Sequence, residues 1–546
     1  MYVSSLPENA EFDFVVVGAG SAGCVLANRL TADGRHRVLL LEAGGRDTNL
    51  NIHIPIMVAK LLMDTRVTWP FMTEPQTYLN GQRQLWVQGK VIGGSSSING
   101  NLFVRGEPAQ YDSWRDQGCR GWGYSDLLPY FKRLEHFPEG DPAVRGRGGP
   151  IGCTRLDKFD ELSGAFLGAC EQAGFRQVPD YNDGSHYEGA FYSQYSTRNG
   201  LRSSSAVGYL RPALKRPNLT VLTNATVTRV LTQDQRAAGV EFFLGNSLRQ
   251  VRARAEVVLS AGSLQSPKLL ELSGIGNSEI LQRHGVRVVH HLPGVGENLR
   301  DQANTRVTFE CAKPITINDV LRSPWLRFKA GLQFIVKRKG LLTICSSTAQ
   351  MNLRSHAGDP QPDLMLRLQP LSGKDRYART PRYGMDPFPG FTISVGILRP
   401  RSVGSLHLQS QDPLQQASMD PRYLSHESDR QMFIDGMRLA RRVAQQPALK
   451  ALVVRETRPG PEVQDDGGLL DYIRATAQTS WHMTGTCRMG IDALAVVDPE
   501  LRVRGVARLR VVDASICPSI PASNTNIPTI AIGEKASDMV LAAAHQ

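Results

Sequence analysis

The stretch from Phe12 to Gly44 constrains this chain more than any other. Its apolar run Phe14-Val15-Val16-Val17 predicts a buried strand that passes straight into Gly18-Ala19-Gly20-Ser21-Ala22-Gly23. Ala22, Val25, Leu26 and Leu30 then recur at helical spacing. Asp33-Gly34 closes that helix, and a second apolar run, Arg37 to Leu41, stops at Glu42. Strand, glycine turn, helix, strand and terminal acid in this order make a βαβ unit with a dinucleotide fingerprint. Gly18 permits the tight turn, Gly20 lets backbone approach a pyrophosphate, and Gly23 lets helix pack on strand. The helix start offers unpaired N–H groups and partial positive charge to the phosphates. Glu42 lies about 20 residues past the glycines, where a carboxylate accepts ribose hydroxyls. That suits an unphosphorylated ribose, so FAD or NAD is expected rather than NADP.

The chain has 546 residues, enough for two or more domains. Its formal net charge is +12, but the basic residues are scattered. No aromatic-interleaved basic motif is present, which argues against a nucleic-acid partner. The eight cysteines form no CxxC cluster and read as reduced thiols of a cytoplasmic protein. Residues 1–11 are short and polar, so no secretory signal is expected. No apolar run is long enough to span a membrane; a cytoplasmic protein, or one held peripherally at the inner membrane, fits.

Further along, Pro55, Trp69, Pro70, Phe71 and Pro75 mark an irregular connection expected to cover a cofactor. Gly89 to Asn101, GKVIGGSSSINGN, is a Gly/Ser loop whose N–H groups can face a phosphate or planar ring. Tyr111–Leu134 and Leu162–Ala173 predict helices. Strands are expected at 218–221, 226–231, 237–243 and 256–260, the last running into a second glycine turn at Ala261-Gly262. Residues 305–475 change character, with strand-like runs at 363–368, 392–398 and 404–409. A helical stretch follows over 429–457, with Met432, Met437, Leu439 and Val443 inward. The expected fold is α/β (α+β overall): a Rossmann-like dinucleotide domain and a second domain of antiparallel sheet flanked by helices. The expected division is 1–160, 205–310 and 476–546 for the first domain, with 161–204 an excursion and 311–475 the second.

With these motifs in view, the sequence resembles the glucose–methanol–choline (GMC) flavin oxidoreductases over nearly its whole length. Gly89 to Asp112 fits one family signature and GSLQSPKLLELSGIG, Gly262 to Gly276, fits the other. Gly294–Leu299, WHMTGTCRMG from Trp481, and DASICP from Asp513 with NTNIPT from Asn524 also resemble the family. The resemblance implies bound FAD. Gly18, Gly20, Ser21, Ala22 and Gly23 would hold the pyrophosphate, and Glu42 with Ala43 the adenosine ribose. Trp69, Val91, Gly94, Ser95, Asn99, Gly100, Asn101 and Leu102 would line the pyrophosphate and flavin, and Val227 would meet adenine. Ala261, Trp481, Asp513, Ala514, Asn526, Ile527 and Pro528 would close the site. Ile98 stands where some relatives carry a flavin-linking His, so the FAD is expected to be non-covalent.

The resemblance also assigns His482 as base and Asn526 as its partner. Removing a hydroxyl proton as hydride leaves an alcohol carbon needs a base that is neutral near pH 7, which imidazole supplies. The expected activity is oxidation of a primary alcohol, with electrons passed to a quinone or other carrier, or to O₂. A dehydrogenase is favoured over an oxidase. A non-redox lyase and a flavin-binding protein without turnover are the alternatives on the same fold. Met483, where many relatives have Pro, bears on substrate preference.

Overall fold

Phe14–Val17 and Val38–Leu41 are continuous apolar runs because these parallel strands are buried, and helix Ser21–Arg29 packs against both. Parallel pairing carries the first sheet from Tyr2–Val3 through Leu219–Thr223, Val38–Glu42 and Glu11–Val17 to Ser247–Leu259. The sheet then continues as the expected meander, antiparallel through Arg236–Leu244 and Ala225–Gln233. The structure is a computed structural model that describes residues 1–157, 160–345, 347–356, 358–374 and 384–544.

The long strand Ser247–Leu259 has two jobs. Its first half completes the meander, while Val257–Leu259 take Leu509–Val511 as a parallel neighbour. That late pairing brings the last forty residues back to the first sheet. The closing helix, Asn526–Ala544, then lies against the first helix, Ser21–Arg29. Gly533 lets the two approach: a Cβ there would stand 3.1 Å from Ala22 Cα. Arg29 pairs with buried Glu534 at 2.7 Å, and Tyr209 donates to the same carboxylate at 2.6 Å.

The second sheet is antiparallel throughout. Its order is Val453–Arg458, Ala303–Cys311, Gly390–Ile397, Leu364–Gln369, Ala349–Leu353, Gly189–Tyr192. Alternation along each strand separates its two faces. Leu364, Leu366 and Leu368, with Phe391, Ile393 and Val395, pack into a core with helix Glu427–Ala444. The opposite face carries Arg367, Gln369, Ser394 and Asn304, which look into the cavity between the sheets.

Three expectations change. Ala303–Cys311 is a strand of the second sheet, so that unit begins before 311. Helix 427–444 stops well before 457; after the single turn Pro447–Lys450 the chain enters the edge strand Val453–Arg458, whose β-branched residues were masked by the preceding helical periodicity. The irregular connection contains a hairpin, Thr68–Met72 with Leu85–Gly89, that stacks Trp69 on Phe71 at 6.0 Å. Met432, Met437 and Val443 are buried as expected, and Leu439 is half-buried.

Candidate active site

One cavity of about 990 Å³ runs from the first glycine turn to the second sheet. Gly18 has φ +97°, and a Cβ there would overlap the Ser260 carbonyl oxygen. A Cβ on Gly23 would overlap the Gly18 carbonyl, so Gly23 serves packing and lies behind the wall. Gly20 differs: no protein atom other than Ser260 O, at 3.9 Å, approaches its missing Cβ. That clearance, beside a helix start with no side-chain cap, fits a pyrophosphate. Ala19 N and Gly44 N donate to Glu42 at 2.9 and 2.8 Å and fix its carboxylate. Burial pushes that carboxyl up to about 7 against these donors. Beyond it, Asp513 accepts from Gly262 N at 2.9 Å, Ser266 Oγ at 2.6 Å and Ser515 N at 2.8 Å, which ties the second glycine turn to the segment that follows strand Leu509–Val511. These residues fit FAD: an acid for ribose, a glycine cradle for phosphates and a long cavity for the ring.

The other end is built from side chains. His482 Nδ1 lies 2.7 Å from Gln302 Oε1, and Gln302 Nε2 donates to Leu398 O at 2.8 Å. The amide is therefore oriented with its oxygen toward the imidazole, and Nδ1 carries the proton. His482 Nε2 is 2.9 Å from Asn524 Nδ2, while Asn524 Oδ1 accepts from Arg367 at 3.3 Å. Nε2 is thus unprotonated, and its lone pair accepts from Asn524 Nδ2. Burial, with the nearby Arg367 charge, lowers the His482 pKa to about 3, so the ring is neutral at pH 7. The backbone is held as firmly. His482 N donates to Asp301 Oδ1 at 2.7 Å, and Thr479 and Tyr423 hydroxyls donate to Oδ2 of the same acid. Trp481, just before, sits at φ +58°, an uncommon conformation for a bulky residue, with its indole N–H bonded to Leu85 O at 3.0 Å.

Most of the expected residues line this cavity. They include Gly18, Gly20, Ser21, Ala22, Glu42, Ala43, Trp69, Gly94 and Ser95. Asn99, Gly100, Asn101, Leu102, Val227, Ala261, Trp481, Asp513 and Ala514 do so as well. Val91, Ile527 and Pro528 are not on the wall; Val91 and Ile527 pack within cores behind it. Asn526, expected as the partner of His482 on the substrate oxygen, makes no bond to His482 itself. Asn526 also lines the cavity, but as the first residue of the closing helix its Oδ1 accepts from Ser21 Oγ at 2.8 Å. Asn524, two residues earlier, is the one bonded to His482. The sequence reading also missed Asp301 and Gln302, although they lie two and three residues past the Gly294–Leu299 stretch. Arg367 gave only a weak signal, a lone cation in Leu-Met-Leu-Arg-Leu-Gln.

The GMC oxidoreductase family matches in two parts, its N-terminal model over residues 12–304 and its C-terminal model over 400–533. An oxygen-dependent choline dehydrogenase of Vibrio vulnificus is 39% identical over 536 residues, 97% of this chain and 94% of that one. An alcohol dehydrogenase [acceptor] of Pseudomonas putida is 40% identical over 535 residues, 97% and 96% respectively. Among solved structures, pyridoxine 4-oxidase from Mesorbium loti superposes with a TM-score of 0.86 at 30% identity, covering 96% of this chain and 98% of that one. A formate oxidase gives 0.91 at 26% identity, with 98% and 99% covered. The glycine cradle, the cavity and these likenesses over almost the whole length agree: the chain belongs to the GMC oxidoreductase family and is an FAD-dependent oxidoreductase acting on CH–OH donors.

Proposed function

We propose that the protein oxidises an uncharged primary alcohol to its aldehyde, with His482 as proton acceptor and Asn524 as its partner. The carrying observation is the hydrogen-bond chain Leu398–Gln302–His482–Asn524–Arg367. It leaves one basic nitrogen, Nε2, at the cavity. An alcohol hydroxyl that takes the place of the Asn524 amide at Nε2 gives its proton to that nitrogen, and Asn524 Nδ2 then donates to the alcohol oxygen instead. Bound FAD supplies the hydride acceptor. Arg367 holds the amide of Asn524 in orientation, and its positive charge favours negative charge growing on that oxygen.

The same charge bears on the substrate. Among the described residues, the carboxylates lining the cavity are Glu42 and Asp513, both at the cofactor end, whereas the wall at His482 carries Arg367, Asn304 and Gln369. Among the described residues Arg367 donates to Gln350 and Asn524, and no carboxylate pairs with it. Two like charges about 6 Å apart cost roughly 3 kcal/mol at an effective dielectric near 20. A quaternary ammonium alcohol is disfavoured by that amount, which supports a neutral substrate despite the choline dehydrogenases among the relatives. Electrons passing to a quinone or other carrier agree with the acceptor-linked relative. The test is anaerobic flavin bleaching by a panel of primary alcohols in wild type and His482→Ala. Loss of the base is expected to slow bleaching by roughly 10²–10⁴-fold. Wild-type bleaching rates in the variant would overturn the assignment.

A further inference from the structure

Fourteen large apolar residues are well exposed among the described residues, and five of them lie on one helix, Pro324–Lys337. Trp325 is 68% exposed, Phe328 60%, Leu332 51%, Ile335 71% and Val336 68%. Their spacing confines them to one side of the helix, an arc of about 100°. The opposite side carries buried Ala330 and Phe334. Scattered exposed apolar residues are ordinary, but a contiguous aromatic and aliphatic stripe marks an interaction surface. The helix is well formed: Ser323 Oγ caps Leu326 N at 3.3 Å, Pro324 opens it, and Trp325 stacks on Phe328 at 5.8 Å.

Charge selects the occupant. Between Arg322 and Lys339 the chain carries Arg322, Arg327, Lys329, Lys337, Arg338 and Lys339, and no Asp or Glu. A second copy of this chain, related by a two-fold axis, would set these cations against themselves. An anionic bilayer neutralises them while it takes up the apolar stripe, as in-plane amphipathic helices do. We propose that the outer face of helix Pro324–Lys337 docks on an anionic membrane surface. Arg327 and Ala330 of the same helix belong to the cavity wall. Docking therefore brings the cavity to within about one helix diameter, roughly 10 Å, of the lipid headgroups.

The test is co-sedimentation of the holoenzyme with vesicles of phosphatidylglycerol and phosphatidylcholine, against phosphatidylcholine alone, at low and high salt. Wild type is expected to partition at least about tenfold more strongly onto the anionic vesicles, less so at high salt. The triple change Trp325→Asp, Phe328→Asp and Ile335→Asp is expected to abolish this with flavin content retained. Lys329→Gln, Lys337→Gln and Lys339→Gln together should lower it by about tenfold. Wild type that stays in the supernatant with anionic vesicles would overturn the proposal, as would an apolar-face variant that binds like wild type. A dimer in light scattering that the apolar variant dissociates, without vesicle binding, would assign the face to a second copy instead.

Discussion

The two ends of the cavity are made in different ways. The phosphate end is backbone: Gly18, Gly20 and Gly23 work because a Cβ is missing, and their partners lie within thirty residues or on the adjacent strand. The reacting end is side chain: Asp301, Gln302, Arg367, His482 and Asn524 come from four separated segments and meet only through hydrogen bonds. Backbone cradles fail through steric overlap. Side-chain networks fail through lost orientation. The two ends therefore respond to substitution with different signatures.

The largest effect is expected at the cradle. Gly18→Ala meets both a positive φ and the Ser260 carbonyl. It should cost more than about 3 kcal/mol and yield flavin-free protein, read by the absorbance of the purified protein and its melting temperature. Normal flavin content would break the backbone account of this end. Gln302→Leu touches only the far side of the imidazole. It should lower kcat by roughly 10- to 100-fold with flavin content intact, because Nδ1 loses the acceptor that sets its tautomer. A variant changed in flavin content rather than kcat would merge the two ends.

Arg367→Met sharpens the electrostatic part. Burial and the Arg367 charge hold His482 at about 3, so the wild-type acid limb should not fall at the ordinary imidazole value near 6.5. Removing the cation should move that limb upward in kcat/KM against pH. The sign for stability follows: between about pH 6.5 and 3 the unfolded chain binds a proton at His482 that the folded chain refuses, so this group costs stability as pH falls through that window. His407 behaves oppositely. Although burial lowers it, bonds to Glu271 at 2.8 Å and Glu297 at 3.1 Å raise it to about 9. Its stabilisation is complete below about 6.5 and is lost as pH rises through 9, so His407→Gln should flatten the fall in melting temperature between pH 7 and 9.5. The substrate gives the last comparison. Choline and its uncharged isostere 3,3-dimethyl-1-butanol should differ by roughly 100-fold in kcat/KM, in favour of the neutral alcohol.

The difference between the ends also explains what could be read from the sequence. The glycine turn, Glu42 and the strand at 256–260 follow from local sterics and apolar runs, which a linear pattern records. The meander was visible because its turns are short. Asn524 was not separable from Asn526, since both sit in one Asn-Thr-Asn. Only the start of the closing helix decides that Asn526 turns to Ser21 while Asn524 reaches His482. Arg367 was hidden for a related reason: alternation puts it on the cavity face of a strand whose other residues signal only core. The edge strand Val453–Arg458 was lost because helical periodicity ran up to its start.

The most direct measurement compares Asn524→Ala with Asn526→Ala, both fully loaded with flavin, by anaerobic stopped-flow reduction with the preferred alcohol. The pairing of Asn524 with His482 predicts a loss of roughly 10²–10³-fold in the first variant and less than about tenfold in the second. The reverse order would contradict it.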